Sequence, residues 1–370
     1  MNRMPPLSTR TLNRTLLQRQ LLLDRVAWPV DDVVGRLVAM QGQEPDAPYV
    51  GLWTRVTGFR HDALSSSLRE RRIVRGAHLR TTQHLALAED FRWLRPLLQP
   101  RLDRAPMAGL RREIDGVDLA ELAAVARRTL AGKTLTRREL GVLLAERFPD
   151  RRPGPLAVSA HFLVAMVHPP PSGLWGRRGP VPCALAEDWI GRDLEQAPSV
   201  GTLVTRYLAA FGPADVKDVQ AWSGLTRLRE VVEELRPRLR VHRDEHGREL
   251  FDLPEAEPAD PELPAPVRFL PAFDNLLLGH ADRGRVIADA HRKLVCPGQA
   301  TVKPTFLVDG FVSGVWAHRD GQLLVSPFRE LPGCDLDEVG REAGRLAAFL
   351  AGDGTPPTVG FDNALVPEGR

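Results

Sequence analysis

Two glutamines, Gln41 and Gln43, flank Gly42 in a chain of 370 residues, and their spacing admits a chemistry. Residues two apart diverge on a helix but share one side of an extended segment. The surrounding pattern predicts a helix from Val33 to about Met40, opened by Pro29, Asp31 and Asp32 and stopped by Gly42 and Pro45. Past the end of that helix the two amides can converge. Each offers a donor and an acceptor, so together they can hold one water. A neutral amide is a poor general base, so such a water suits a substrate whose leaving group is already activated. The same pair can instead merely cap a helix end, and the residues alone leave both readings open. Glu44 and Asp46 are rival bases in the same stretch.

Other chemistries find less support. His242 and His246 flank Asp244 and Glu245, but the Gly247 turn and the polarity of the stretch point to a solvated hairpin tip rather than a metal site. Cys183, Cys296 and Cys334 lie far apart, which suggests neither a disulfide framework nor a zinc site. The chain contains no phosphate-binding Gly-Lys-Ser/Thr loop, dinucleotide fingerprint, His-Glu-x-x-His site or serine nucleophile elbow. No metal and no cofactor is expected.

The elements that must position these residues can be outlined from periodicity. Leu12, Leu16, Leu17 and Leu21 to Leu23 recur at helical spacing, with Arg14, Arg19 and Arg25 among them. Residues 73–87 alternate patchily and read as two short strands around a turn near Gly76. Asp118 to Glu187 suggests a second helical unit, ending in the Pro-rich run 169–173. Leu203 to Phe211, Val216 to Ala221 and a helix ending near Leu239 form a helix-turn-helix pattern, followed by a hairpin from Val241 to Phe251. An acidic, Pro-rich linker, Glu255 to Pro266, precedes strand-like runs that include 285–287. Asp309-Gly310 and Asp320-Gly321 are hairpin turns there. A helix from Asp335 to Ala351 closes the chain, and the tail from Gly352 looks loosely ordered. Trp53 and Trp222 read as core anchors.

Hydrophobic residues make up 43% of the chain and charged residues 26%, ordinary values for a globular protein without a membrane span. The basic N-terminus lacks the apolar run of a secretion signal, so a cytoplasmic location is expected. Net charge is only +3, and lysine stands only at Lys133, Lys217, Lys293 and Lys303. The arginine excess therefore matters by where it clusters rather than by its total.

Several segments, in order, resemble the AlkZ-like DNA glycosylases: Leu12-Asn13-Arg14, Gln18 to Leu23, Gln41-Gly42-Gln43, Gly51 to Arg55, Arg80 to His84, Phe211 to Ala214, Trp222 to Leu225 and Leu270 to Asp274. The resemblance covers nearly the whole chain. It implies an α+β fold of tandem winged-helix modules followed by a small C-terminal β-barrel, divided here as 1–105, 106–200, 201–256 and 257–370. It also implies excision of alkylated purines, including bulky adducts and interstrand crosslinks, in some cases protecting a producer from its own genotoxic product. The family's catalytic signature is two glutamines, or a glutamine and an aspartate, around an aliphatic residue. Gln41 and Gln43 match the polar positions, whereas Gly42 departs from the aliphatic one. Thr81 replaces the glycine of the family's Arg-Gly-Thr-x-His.

With that resemblance the water-holding chemistry gains a substrate. An N7- or N3-alkylpurine is cationic and leaves readily, so a positioned water near the sugar C1′ suffices. No lysine adjoins the pair in sequence, so a lyase step is not indicated and a monofunctional enzyme is expected. Arg75, Arg80, Thr82 and His84 on the first hairpin, with His242, Arg243 and His246 on the second, are the candidate DNA contacts. The expected partner is double-stranded DNA containing alkylated purines, met by a nucleoid-associated monomer. The rival reading is a non-catalytic winged-helix regulator, which would select one sequence from a random pool.

Overall fold

The computed structural model describes residues 5–298 and 301–362. It is an α+β chain whose strands form sheets of six, five and two strands. The opening helix Thr9–Arg19 buries Leu12, Leu16 and Leu17. Its arginines do not make a basic face. Arg19 grips both oxygens of Asp252 at 2.7 Å. Buried Arg14 meets the Asp309 carboxylate, and Arg25 meets Glu342. Each charge is held by a carboxylate distant in sequence, so these arginines clamp the helix to the rest of the chain.

The six-stranded sheet runs in the spatial order Met40–Gln41, Gln83–Leu87, Ile73–Ala77, Met166–Val167, Pro182–Leu185, Leu135–Thr136. The first hairpin pairs Ile73 with Leu87 through Ala77 with Gln83. It does not turn at Gly76, as expected, but over the 3-10 turn Leu79–Thr81. Gly76 lies within the strand, opposite His84 and Val167. A Cβ there would come within 2.7 Å of the Phe91 ring and 2.9 Å of the Met166 carbonyl oxygen. Because Met166–Val167 pairs with its outer edge, the hairpin sits inside a sheet, and every residue of Ile73–Ala77 is buried.

The helices Val200–Phe211, Val216–Ser223 and Arg229–Leu235 precede the hairpin Arg240–Arg243 with Glu249–Asp252, much as the pattern suggested. Asp215 and Asp218 form a capping box, and Gly224 ends that helix at φ 79°. Tyr207, Phe211 and Trp222 share one core with Leu16, Leu276, Ile287 and Phe328. A single apolar interior therefore links the start, middle and end of the chain.

Instead of a closed barrel, the C-terminal strands form an open sheet in the order Thr358–Phe361, Gln322–Pro327, Phe311–Arg319, Thr305–Val308, Arg268–Leu270. The helix Gly333–Ala351 packs against Arg268–Leu270, Gln322–Pro327 and Thr358–Phe361 and covers the face that closure would fold inward. Asp309-Gly310 and Asp320-Gly321 turn with φ between 48° and 79°, as two-residue hairpins require. Residues 285–287, expected as strand, form a turn. Of the tail, Thr358–Phe361 forms a parallel edge strand, and residues 363–370 lie outside the described residues. Among the described residues no helix is long and apolar enough to cross a membrane.

One buried pair couples the two ends. Arg55 donates to both oxygens of Asp274 at 2.9 and 2.8 Å and to the carbonyls of Gln20 and Gly51. Asp274 also caps Asn275–Leu278 by accepting from Leu276 N–H. Removing one partner strands a buried charge, so Asp274→Ala is expected to lower stability by about 3–5 kcal/mol. The urea unfolding midpoint reads this, and a loss under about 1 kcal/mol would contradict the role of the pair.

Candidate active site

The helix before the glutamines is shorter than its sequence pattern suggests. Val30–Arg36 ends at Leu37, and Val38 redirects the chain at φ 67°. Met40–Gln41 is already strand, paired with Leu85 and His84. Gly42 N–H continues the ladder to the Gln83 carbonyl at 2.9 Å. The Gly42 carbonyl accepts from Arg75 Nε at 3.0 Å. Gln43 Oε1 accepts from Gln83 N–H at 3.4 Å, a long contact. A Cβ on residue 42 would meet Leu85 Cγ at 3.6 Å and Arg75 Nε at 3.8 Å, both ordinary contacts. The site thus has room for a Cβ, and in its absence the segment is fixed by hydrogen bonds.

Gln41 and Gln43 both line a cavity of about 620 Å³. Arg80, Thr81 and Thr82 from the hairpin turn, Phe273, Leu278, Arg283, Cys296, Thr301 and Val302 complete its walls. Among the described residues no carboxylate lines it. Arg80 Nη1 donates to the Trp222 carbonyl at 2.7 Å, and Arg283 Nη1 to Cys296 Sγ at 2.9 Å. Burial, and then the charge of Arg283, brings Arg80 down to about 10, so it stays cationic at neutral pH. The rival bases are elsewhere. Asp46 accepts from Gly176 N–H at 2.9 Å and Arg178 Nη2 at 2.8 Å, and exposed Glu44 does not line the cavity. Two neutral amides and two cations are therefore the polar chemistry nearest a bound molecule, with threonine hydroxyls and a thiol beside them.

The candidate DNA contacts separate. Arg80 and Thr82 share the cavity with the glutamines. Arg75 is buried beneath Gly42 rather than presented to a groove. His84 is buried as well, with Nδ1 against the Thr82 carbonyl at 3.0 Å. Neither stands on an open hairpin face: Met40–Gln41 pairs with the strand that carries His84, and Ser172 and Gly173 pack on Arg75. His242 is buried on the second hairpin. Arg243 and His246 are exposed at its tip and do not line the cavity. Phe273, Arg283 and Cys296 were not singled out by the sequence. Phe273 belongs to the Leu270 to Asp274 segment of the resemblance, which gives it no role of its own. Arg283 and Cys296 stand in irregular segments that carry no local signature.

Behind the glutamine strand lies a file of buried histidines. The rings of His78 and His84 are 4.9 Å apart, and those of His161 and His168 stack at 4.8 Å. Gln83 Nε2 meets His161 Nε2 at 2.8 Å. Burial, reinforced by nearby arginines, pushes His78 and His168 down to about 3. His84 and His161 are also driven well below the usual value, chiefly by burial.

Comparison with known proteins adds three findings. The family described as "DNA glycosylase AlkZ-like" matches residues 34–349. A relative named "Interstrand DNA cross-link repair glycosylase", from Streptomyces sahachiroi, is 26% identical over 362 residues, spanning 90% of this chain and 93% of its own. The solved structure of Streptomyces sahachiroi DNA glycosylase AlkZ superposes with a TM-score of 0.77 at 24% identity. It covers 97% of this chain and 100% of that one, and it shows the shared fold.

Two measurements follow from this geometry. Unfolding returns His78 and His168 to their ordinary value of 6.5, so below that pH the unfolded chain binds protons that these two refuse in the native chain until about pH 3. Stability is expected to fall as pH drops through that window, by up to about 1.4 kcal/mol per pH unit per histidine. Urea midpoints that stay flat between neutral pH and pH 5 would contradict neutral burial. Separately, Thr81 sits at φ 61°, where a β-branched residue is strained. Thr81→Gly is expected to raise stability by about 1 kcal/mol, net of the entropy glycine adds to the unfolded chain. A lower melting temperature would refute the strain.

Proposed function

The chain belongs to the AlkZ-like DNA glycosylase family, and on that premise we propose that it hydrolyses the N-glycosidic bond of cationic N7- or N3-alkylated purines in double-stranded DNA. The observation that carries this reading is the meeting of Gln41 and Gln43 at one cavity with no carboxylate in its lining. Without a strong base, water can be positioned but not deprotonated in advance. Only a substrate that supplies its own leaving-group activation is turned over at a useful rate. The alkylated purine does so, because its positive charge is discharged when the bond to C1′ breaks.

In the proposed reaction the two amides hold one water against the sugar while the base departs. The Gln43 amide is steadied by Gln83 N–H, and Gln41 by its place in the strand. Phe273 offers an aromatic face to the base. A volume of about 620 Å³ accommodates an adduct larger than a methyl group, which favours bulky lesions and crosslinks. The relative's name points the same way. No lysine is in the lining, which favours plain hydrolysis to an abasic site over a Schiff-base step.

The helix-and-hairpin units over 1–105, 106–200 and 201–256 serve, on this reading, as winged-helix modules, with 257–370 as the closing sheet domain. We read the protein as a cytoplasmic, nucleoid-associated monomer, and self-resistance to a genotoxic product as a fitting role.

Gln41→Ala and Gln43→Ala are each expected to lower excision from an N7-alkylguanine duplex by roughly 10²-fold or more while leaving affinity for the duplex unchanged. Abasic sites scored under single-turnover conditions measure the first, and a binding titration the second. Full excision by both variants would remove the glutamines from the mechanism.

A further inference from the structure

A second concavity opens near Gly42. It encloses about 240 Å³ between Pro45 and the loop 171–181, and no carboxylate is among its lining residues. Arg75 contributes to its wall, 7% exposed, donating through Nε to the Gly42 carbonyl and through Nη1 to Ser172 Oγ at 2.9 Å. Gly173 makes this close approach possible: it sits at φ 85°, and a Cβ there would be 3.1 Å from Arg75 Cδ. Among the described residues Arg75 has no ion-pair partner. Arg177, exposed in the same wall, has none either. Burial first, and then the charge of Arg137, lowers the Arg75 guanidinium to about 10 against a smaller opposing pull from Glu44, and among the described residues Arg137 too has no ion-pair partner. Arg178 differs, since Asp46 answers its charge at 2.8 Å.

Burying a cation without a counter-ion is unfavourable. Elsewhere in this chain the buried Arg14, Arg19 and Arg55 each face a carboxylate, and the buried Arg95 and Arg268 each donate to at least two backbone carbonyls. Arg75 has one such carbonyl and the Ser172 hydroxyl, feels Glu44 only at a distance, and borders a concavity smaller than most organic-ligand sites. We propose that the concavity is an anion site that seats one backbone phosphate of the DNA, with Arg177 as its outer ligand and Arg75 as its inner one. The assignment rests on the reading of the chain as a DNA-acting enzyme and deepens it. It also links binding to the glutamines, because the guanidinium that meets the phosphate is the one that holds the Gly42 carbonyl.

The test uses the full chain and an undamaged duplex, with affinity measured across a series of KCl concentrations. Each lost phosphate contact reduces the slope of log K against log salt by about 0.9. Arg177→Ala is expected to show that reduction. Asp46→Asn leaves Gly176 N–H its acceptor but frees Arg178, and duplex affinity is expected to rise. Inorganic phosphate titrated calorimetrically into the free protein is expected to bind the wild type and to bind Arg177→Ala more weakly. An unchanged salt slope in Arg177→Ala overturns the proposal, even if that variant loses free phosphate, because the site then takes a free anion and not the backbone. Gln41→Ala, assayed alongside, reports on the catalytic reading separately. If it excises normally, that reading fails while the salt slopes still decide this one.

Discussion

The Gly42 carbonyl accepts a hydrogen bond from a buried guanidinium, and the arrangement of both glutamines depends on it. A strand of two residues, Met40–Gln41, has almost no ladder of its own. Its continuation through Gly42 is held on one side by the Gln83 carbonyl and on the other by Arg75 Nε. Glycine is the residue most free to leave an extended conformation. Without these two contacts the segment between the amides would be the loosest part of the cavity wall. A Cβ at residue 42 would touch Leu85, and without it hydrogen bonding alone holds the segment.

That arrangement explains which parts of the molecule were legible in the sequence. The two-apart spacing of the glutamines, the helices around Trp222 and the Asp-Gly turns are local signals, and the structure contains those elements. The first hairpin was legible as a hairpin but not as an interior one. Its alternation of arginines and histidines resembles a solvated wing. Only the pairing of Gly76 with Val167, some ninety positions along the chain, shows that one edge is covered. The same non-local covering turned Arg75 and His84 from surface contacts into buried supports. The open C-terminal sheet was likewise hidden, because strand count and turn type do not say whether the first and last strands meet.

The arginine-rich composition illustrates why charge type alone is a weak guide. Arg14, Arg19, Arg25 and Arg55 are spent on carboxylates from distant segments, as clamps within one continuous core. Arg75, Arg80 and Arg283 have no such partners among the described residues, and all three lie at or next to the glutamine segment. Lack of a carboxylate is not enough, since buried Arg95 and Arg268 have none and are met by backbone carbonyls; what sets these three apart is that they also line a concavity, a property of the folded chain and not of sequence position.

Two cations beside a site proposed for a cationic base look at first like a contradiction. The resolution lies in where charge moves. Before cleavage the alkylated purine is positive; afterwards it is neutral, and the positive charge has passed to the sugar. A positive wall at the base side therefore disfavours the bound reactant more than the transition state, which is the direction that accelerates the step. Flanking DNA phosphates offset the repulsion during binding, since each carries a negative charge that the arginines also feel. The same wall would also favour the departing base of an unmodified purine, so it does not by itself select for damage. That departure places negative charge on the base, and without a proton donor of carboxylic strength in the lining two amides do not make up the difference. Under the proposed mechanism, selectivity for damage thus comes from the weakness of the catalytic groups.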